Sequence, residues 1–242
     1  MIMSPLEKIG IISAMEQEVA PMLKMWRRET LAHEGRGYRL FRSPSGSEVY
    51  VACGIGRGWG MKATEALIAA EDVQAIISAG FAGALTPERK IGDLIEPGTV
   101  IDAETGDRFA SVNGGNLALV SASQVVGRET KKQLTARYGA EAVDMEAAAV
   151  ARIAQQHEIA FYAIKSISDE LEFLMPPFNH FINRDGGLEM ARFAVCVALR
   201  PQYWPSVVRL GINSRRAAAE LCKGLVRVMA DISSGRKSIV NA

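Results

Sequence analysis

Ile9-Gly10-Ile11-Ile12-Ser13-Ala14-Met15-Glu16-Gln17-Glu18 sets two periodicities back to back. Its first five residues form a short, apolar, β-branched run of the kind that fills a buried strand. Residues 16–25 follow with helical spacing, and Glu16 and Glu18 open the first turn, where a helix N-terminus favours negative charge. A buried strand running straight into a helix is the repeating unit of an α/β sheet.

The alternation continues downstream. Residues 38–42 and 48–53 read as strands around the turn-forming Ser43-Pro44-Ser45-Gly46, and 61–70 as a helix. Residues 75–79 form a second buried strand that ends in Gly80-Phe81-Ala82-Gly83. A strand over 93–101 is bent at Pro97-Gly98. Residues 117–121 read as a strand, 129–138 as a helix, and Asp144-Met145-Glu146 opens an alanine-rich helix running to about Gln156. An apolar strand over 159–167 closes on Ser168-Asp169. These elements predict one α/β domain, a mixed and largely parallel sheet flanked by helices, over residues 1–200. Helical segments at 187–199 and 205–230 follow a break at 174–178, and residues 201–242 are expected to form an amphipathic helical extension and tail. In a parallel sheet ligands sit beyond the carboxyl ends of the strands. That puts residues 14–18, 54–57, 80–83 and 168–169 on one rim.

Bulk properties narrow the function. The 242 residues are 48% hydrophobic with a formal net charge of +1, enough apolar matter for a sizeable core and no basic field to attract nucleic acid. Cys53, Cys196 and Cys222 are far apart in apolar runs, with neither a disulfide pattern nor a metal-ligand spacing. No metal or organic cofactor is indicated. The apolar stretch near the N-terminus lacks a cationic start and is too short to span a bilayer, so a cytoplasmic protein is expected. Gly54-Ile55-Gly56-Arg57-Gly58-Trp59-Gly60 departs from the dinucleotide fingerprint, which would need glycine where Trp59 stands. A tight turn bringing backbone amides near a sugar or an anion suits it better.

The acids at the rim matter as a set. Glu16 and Glu18, Asp144 and Glu146, and Asp169 could each be a helix-end or capping acid. Three separate junctions presenting one at the same rim is what glycosidic cleavage requires: a group to activate water, one to assist the leaving group and one to hold sugar hydroxyls.

Five ordered stretches carry a family resemblance: residues 9–19, Cys53-Gly54-Ile55-Gly56, Ala79-Gly80-Phe81-Ala82-Gly83, Asp144-Met145-Glu146-Ala147 and Ile167-Ser168-Asp169. Together they resemble the methylthioadenosine/S-adenosylhomocysteine nucleosidases of the purine and uridine phosphorylase superfamily, over residues 8–200. The resemblance implies cleavage of the N-glycosidic bond of a purine nucleoside, by hydrolysis, in a homo-oligomer. It assigns Glu18 to the water, Glu146 and Met145 to the ribose, and Asp169, supported by Ser168, to purine N7. For Asp169 to donate there its pKa must be raised. Ile55, Phe81, Ala82, Gly83, Val125, Val126 and Lys165 complete the expected substrate contacts.

Departures from the pattern keep alternatives open. Lys165 stands where the family has arginine, Val125 where it stacks an aromatic on adenine, and Phe81 where it often has serine or threonine. The segment at 102–107 is shorter than the family's, which unsettles the 5′ side of the substrate. Glu16 and Glu18 would repel a phosphate dianion, which favours water as nucleophile; Arg57 and Lys165 are the cations a phosphorylase would use. Pro176-Pro177-Phe178-Asn179-His180 and the basic extension from Arg200 are similar to hopanoid-associated members, which act on a lipid-linked adenosine; contact of the C-terminal helix with an anionic membrane surface goes with that alternative. A catalytically idle nucleoside-binding protein is the alternative of another class.

Overall fold

The computed structural model describes residues 8–112, 114–173, 178–182 and 189–234. Among them lie eleven strands of one mixed sheet and six α-helices. In chain order these are β1 (Ile9–Ser13), α1 (Glu16–Leu23), β2 (Arg27–His33), β3 (Arg36–Arg42), β4 (Glu48–Ala52), α2 (Arg57–Ala70), β5 (Ala75–Ala84), β6 (Leu94–Ile95), β7 (Thr99–Asp102) and β8 (Arg108–Ala110). They continue with β9 (Ala118–Ser121), α3 (Arg128–Tyr138), β10 (Ala142–Asp144), α4 (Ala147–Gln156), β11 (Ala160–Asp169), α5 (Met190–Ala198) and α6 (Trp204–Ser233).

The apolar runs became the central strands. β1 lies parallel between β4 and β5, and β5 is parallel to β11. Both faces of these strands are covered. Ile12 and Ile76 face a core with Ala63 and Leu67 of α2 and the alanines of α4. Ile11 and Ile77 face a second core with Val19 of α1 and Leu221, Leu225 and Val228 of α6. The second half of α6 is therefore part of the core, while its first half carries exposed Trp204, Val208 and Ile212. Among the described residues no helix is long and apolar enough to cross a membrane.

The expected elements differ from the observed ones in four places. β2 went unread because its side chains alternate between exposed and half-buried without an apolar face; it joins β3 through Glu34 and Gly35, both at positive φ (48° and 76°), as a tight hairpin demands. The strand expected over 93–101 is two, β6 and β7, interrupted at Pro97-Gly98. β8 was missed, and β10 occupies residues assigned to no element or to the start of α4. The expected break at 174–178 and the Pro176-Pro177 pair lie largely outside the described residues.

The site grows from one topological feature. Along one edge β5 is paired by β11 from Ala75 to Gly83. Along the other, parallel β1 accompanies Ala75 to Ser78, and antiparallel β10 meets Gly83 and Ala84. The carboxyl ends of β1 and β10 thus run toward each other across residues 79–82, a reversal of strand direction of the kind where α/β sheets open a crevice.

Candidate active site

Backbone groups of β5 left without a strand partner in that gap must bond elsewhere, and the site side chains supply the bonds. Glu18 Oε1 accepts the Phe81 N–H at 2.9 Å, and its Oε2 accepts the Met15 N–H at 2.9 Å, so the carboxylate closes the first turn of α1 and fastens it to β5. Lys165, on β11, donates to Ala79 O at 3.3 Å, to Ser78 Oγ at 3.2 Å and to Asp144 Oδ2 at 2.8 Å. Asp144 is filled as well: its Oδ1 accepts the Ser121 hydroxyl at 2.5 Å and its Oδ2 the first amide of α4, from Ala147, at 2.9 Å. The capping role its position suggested is real, and it is combined with a buried ion pair.

Glu146 follows Asp144 at the mouth of α4. Its Oε1 accepts the Gly56 N–H at 2.7 Å. The loop 54–56 can aim that amide because Gly54 and Gly56 hold φ of 95° and 104°, a region closed to most side chains. Burial raises the Glu146 carboxyl to about 8, with the Asp144 charge adding to the effect and Lys165 opposing it. Glu18 is also raised, first by burial, against the lowering effect of its two backbone bonds and of Lys165. Burial works against the charge of Lys165, yet the Asp144 and Glu146 carboxylates prevail and hold the ammonium above its ordinary range.

These groups border a cavity of about 210 Å³. Glu18, Glu146, Met145 and Ile55 line it. Phe81, Ala82, Gly83, Val125, Val126, Ser168 and Asp169 line it too, so the structure brings together eleven of the twelve residues expected to contact or transform the substrate. Lys165 is the exception. It is 1% exposed and lies beneath the floor with all three donors committed, so its expected contact with substrate is corrected to a supporting position under the acids. Arg57 does not line the cavity either; its guanidinium is paired with Asp102 at 3.1 Å and Glu104 at 2.5 Å. His180 is exposed and away from the cavity wall.

Sequence reasoning missed Lys131. It is the buried residue of the otherwise polar α3, 2% exposed, and its ammonium lies 2.5 Å from Asp169 Oδ2 and 3.0 Å from Glu170 O. Asp169 Oδ1 accepts the Ser168 hydroxyl at 3.0 Å. Both oxygens of Asp169 therefore have partners within the protein. Gly83 makes this close packing feasible: a Cβ there would stand 2.8 Å from Asp169 Oδ2 and 3.2 Å from Lys131 Nζ. No pattern flags Lys131 in advance, since Lys131-Lys132 in a charged helix reads as a solvated face. The roof over the cavity, from Ile182, Leu210 and Ser214, was also unforeseen.

A mixed α/β sheet with buried acids gathered where two strand ends converge defines the class as that of enzymes working on small, partly polar substrates. The profile of the phosphorylase superfamily matches residues 8–124 and 116–181, and the chain belongs to that superfamily. Among curated relatives, the aminodeoxyfutalosine nucleosidase of Helicobacter pylori (strain J99) is 27% identical over 202 residues, covering 69% of this chain and 87% of the relative. The 5′-methylthioadenosine/S-adenosylhomocysteine nucleosidase of Shewanella sediminis is 28% identical over 215 residues, covering 74% and 94%. The fold is shared with the solved 5′-methylthioadenosine/S-adenosylhomocysteine nucleosidase of Neisseria meningitidis in complex with methylthio-immucillin-A, with a TM-score of 0.68 at 20% identity over 97% of this chain and 100% of that one.

Proposed function

We propose that this chain hydrolyses the N-glycosidic bond of a purine nucleoside of the adenine type, releasing the free base and a ribose derivative. The observation that carries this reading is the charge balance of the wall. Glu18, Asp144, Glu146 and Asp169 are buried against Lys165 and Lys131, both already paired, and Arg57 is held by Asp102 and Glu104. Carboxylates of this wall stabilise the cationic sugar of a dissociative glycosidic transition state, and among the described residues these three cations are each already ion-paired rather than free to hold a phosphate dianion.

In this scheme Glu146 holds the ribose hydroxyls with Met145 against the sugar. Glu18, whose raised pKa makes it the stronger base, orients and deprotonates the water. Phe81, Ala82, Gly83, Val125 and Val126 enclose the base, and Ile55 flanks the sugar. Ser168 and Asp169, with Lys131, face the departing purine. The enzyme acts in the cytoplasm as a homo-oligomer. Base release from adenosine, methylthioadenosine, adenosylhomocysteine and inosine, each with and without phosphate, tests the reading. Adenine released without phosphate supports it; strict dependence on phosphate sinks it in favour of a phosphorylase. Binding of nucleoside with no turnover of any of the four makes the chain an idle binder.

One observation favours a second reading, a lipid-linked adenosine as substrate. Trp204, Val208 and Ile212 recur every four residues on α6 and are 52%, 62% and 62% exposed, while Leu210 and Ser214 of the same helix line the cavity. Exposed Arg200, Arg209 and Arg215 accompany the stripe, the composition of a helix that lies on an anionic bilayer. Co-sedimentation with phosphatidylserine vesicles, lost in Trp204→Glu, supports this reading. A stripe that is instead covered by a second copy leaves the protein unbound to vesicles and oligomeric in sedimentation equilibrium.

A further inference from the structure

Tyr50 is fully buried on β4 and plays no part in the scheme above. A phenol sealed in a core needs a hydrogen-bond partner. It finds one on the neighbouring strand: its hydroxyl lies 2.9 Å from that of Ser13, the last residue of β1 and itself 1% exposed. The direction of the bond follows from a count of protons. Ser13 turns its one proton toward α1, onto Met15 O at 3.1 Å, so the Tyr50 hydroxyl donates and Ser13 Oγ accepts. Met15 in turn gives its N–H to Glu18 Oε2 at 2.9 Å. A chain of contacts thus runs from the core between β4 and α1 to the carboxylate at the cavity. A hydroxyl that accepts a bond becomes a better donor. Burial, the largest influence, raises the Glu18 carboxyl, and the Ser13 hydroxyl is among the groups that lower it again.

We propose that Tyr50 and Ser13 are positioning residues for Glu18: the phenol orients the serine hydroxyl, which fixes the turn between β1 and α1 and steadies the carboxylate. That the steadied carboxylate activates water rests on the nucleosidase reading above. The other titratable groups acting on Glu18 or on Tyr50 are Lys165 of β11, paired with Asp144, Glu146 at the mouth of α4, Cys53 after β4, and Glu16 of α1. The substitutions that follow leave all of them in place, so a change at Glu18 reports the hydroxyls.

Tyr50→Phe keeps the ring and removes its proton, Ser13→Ala removes the middle of the chain, and Ser13→Thr restores a hydroxyl there. On the purine nucleoside that the wild type turns over, Tyr50→Phe should lower kcat roughly fivefold, the size of one ordinary hydrogen bond, with KM little changed. Ser13→Ala should lower it further, and Ser13→Thr should recover part of the loss. The double variant should match Ser13→Ala, because the phenol acts only through the serine. Loss of either hydroxyl should move the acid limb of kcat/KM to higher pH, since a group that favoured the charged carboxylate is gone. A readout independent of turnover is the titration of the Glu18 carboxyl by carbon-13 NMR, its signal identified by its loss in Glu18→Gln. It should titrate higher in Tyr50→Phe than in the wild type. An unmoved titration in Tyr50→Phe overturns the proposal whether or not Tm falls, and so does an additive loss in the double variant. If Ser13→Ala does not fold, the Tyr50→Phe titration decides alone. A wild type that releases no base from any nucleoside sinks the hydrolase reading, while the carboxyl titration still decides whether the two hydroxyls hold Glu18.

Discussion

Lys165–Asp144 and Lys131–Asp169 are both buried lysine–aspartate pairs near the carboxyl ends of the sheet, at 2.8 and 2.5 Å. They differ in what is left over. Lys165 comes from a central strand, spends all three donors on Asp144, Ser78 and Ala79, and never reaches the cavity. Lys131 comes from a peripheral helix, spends two, and borders the cavity. The first pair neutralises charge so that Glu18 and Glu146 can be buried together; the second belongs to the cavity wall. The same two residue types are sealed away in one pair and border the cavity in the other, according to the element that carries the lysine.

The largest effect should come from breaking the first pair. Lys165→Met leaves Asp144 charged and sealed without its cation, held only by the Ser121 hydroxyl and the Ala147 amide, at a cost of roughly 3–5 kcal/mol, or a fall of about 6–20 °C in Tm for a chain of this size, measured by thermal denaturation. Lys131→Met should lose clearly less, because water entering the cavity can solvate Asp169. Equal losses would erase the distinction between the pairs. Next, Glu18→Gln should reduce kcat for base release by ~10²–10⁴-fold with a smaller fall in Tm than Lys165→Met, since relief of a carboxylate that burial disfavours is offset by the loss of one of its two backbone N–H bonds to an amide nitrogen that cannot accept.

A subtler effect is pH-dependent. The folded Glu146 pKa of about 8 lies above its ordinary value of 4.5, so between those pH values the folded chain binds more protons than the unfolded one. Stability from this group is therefore fully present below about pH 4.5 and is lost as pH rises toward 8. Melting curves should show Tm falling across that window in the wild type and falling less in Glu146→Gln; parallel curves would mean that Glu146 is not the titrating group. The smallest effect belongs to Arg57, whose partly exposed pairing is worth at most ~1 kcal/mol. Arg57→Ala should change the phosphate-free rate by less than about fivefold and create no response to phosphate.

How much was legible follows from where the signal resides. β1, β5 and β11 are continuous apolar runs because helices cover both their faces, and such runs stand out in any sequence. β2 has no buried face to mark it, and β10, three residues long, is too short for any period to show. Eleven site residues were legible because they stand in five motifs at strand ends or, for Val125 and Val126, in an aligned loop. Lys131 was not, because its partner lies 38 residues away and its own helix has the composition of a solvated surface.

By itself, then, the order of apolar runs and rim acids determined the α/β architecture, the superfamily and the placing of Glu18, Glu146 and Asp169 around one cavity, since hydrophobic periodicity and strand-end position are local properties of the chain. Only the tertiary structure decided which lysine is spent beneath the floor and which faces the cavity, and that the first half of α6 roofs the site. Those outcomes depend on counting hydrogen bonds around groups brought together from distant segments, and no local pattern encodes that count.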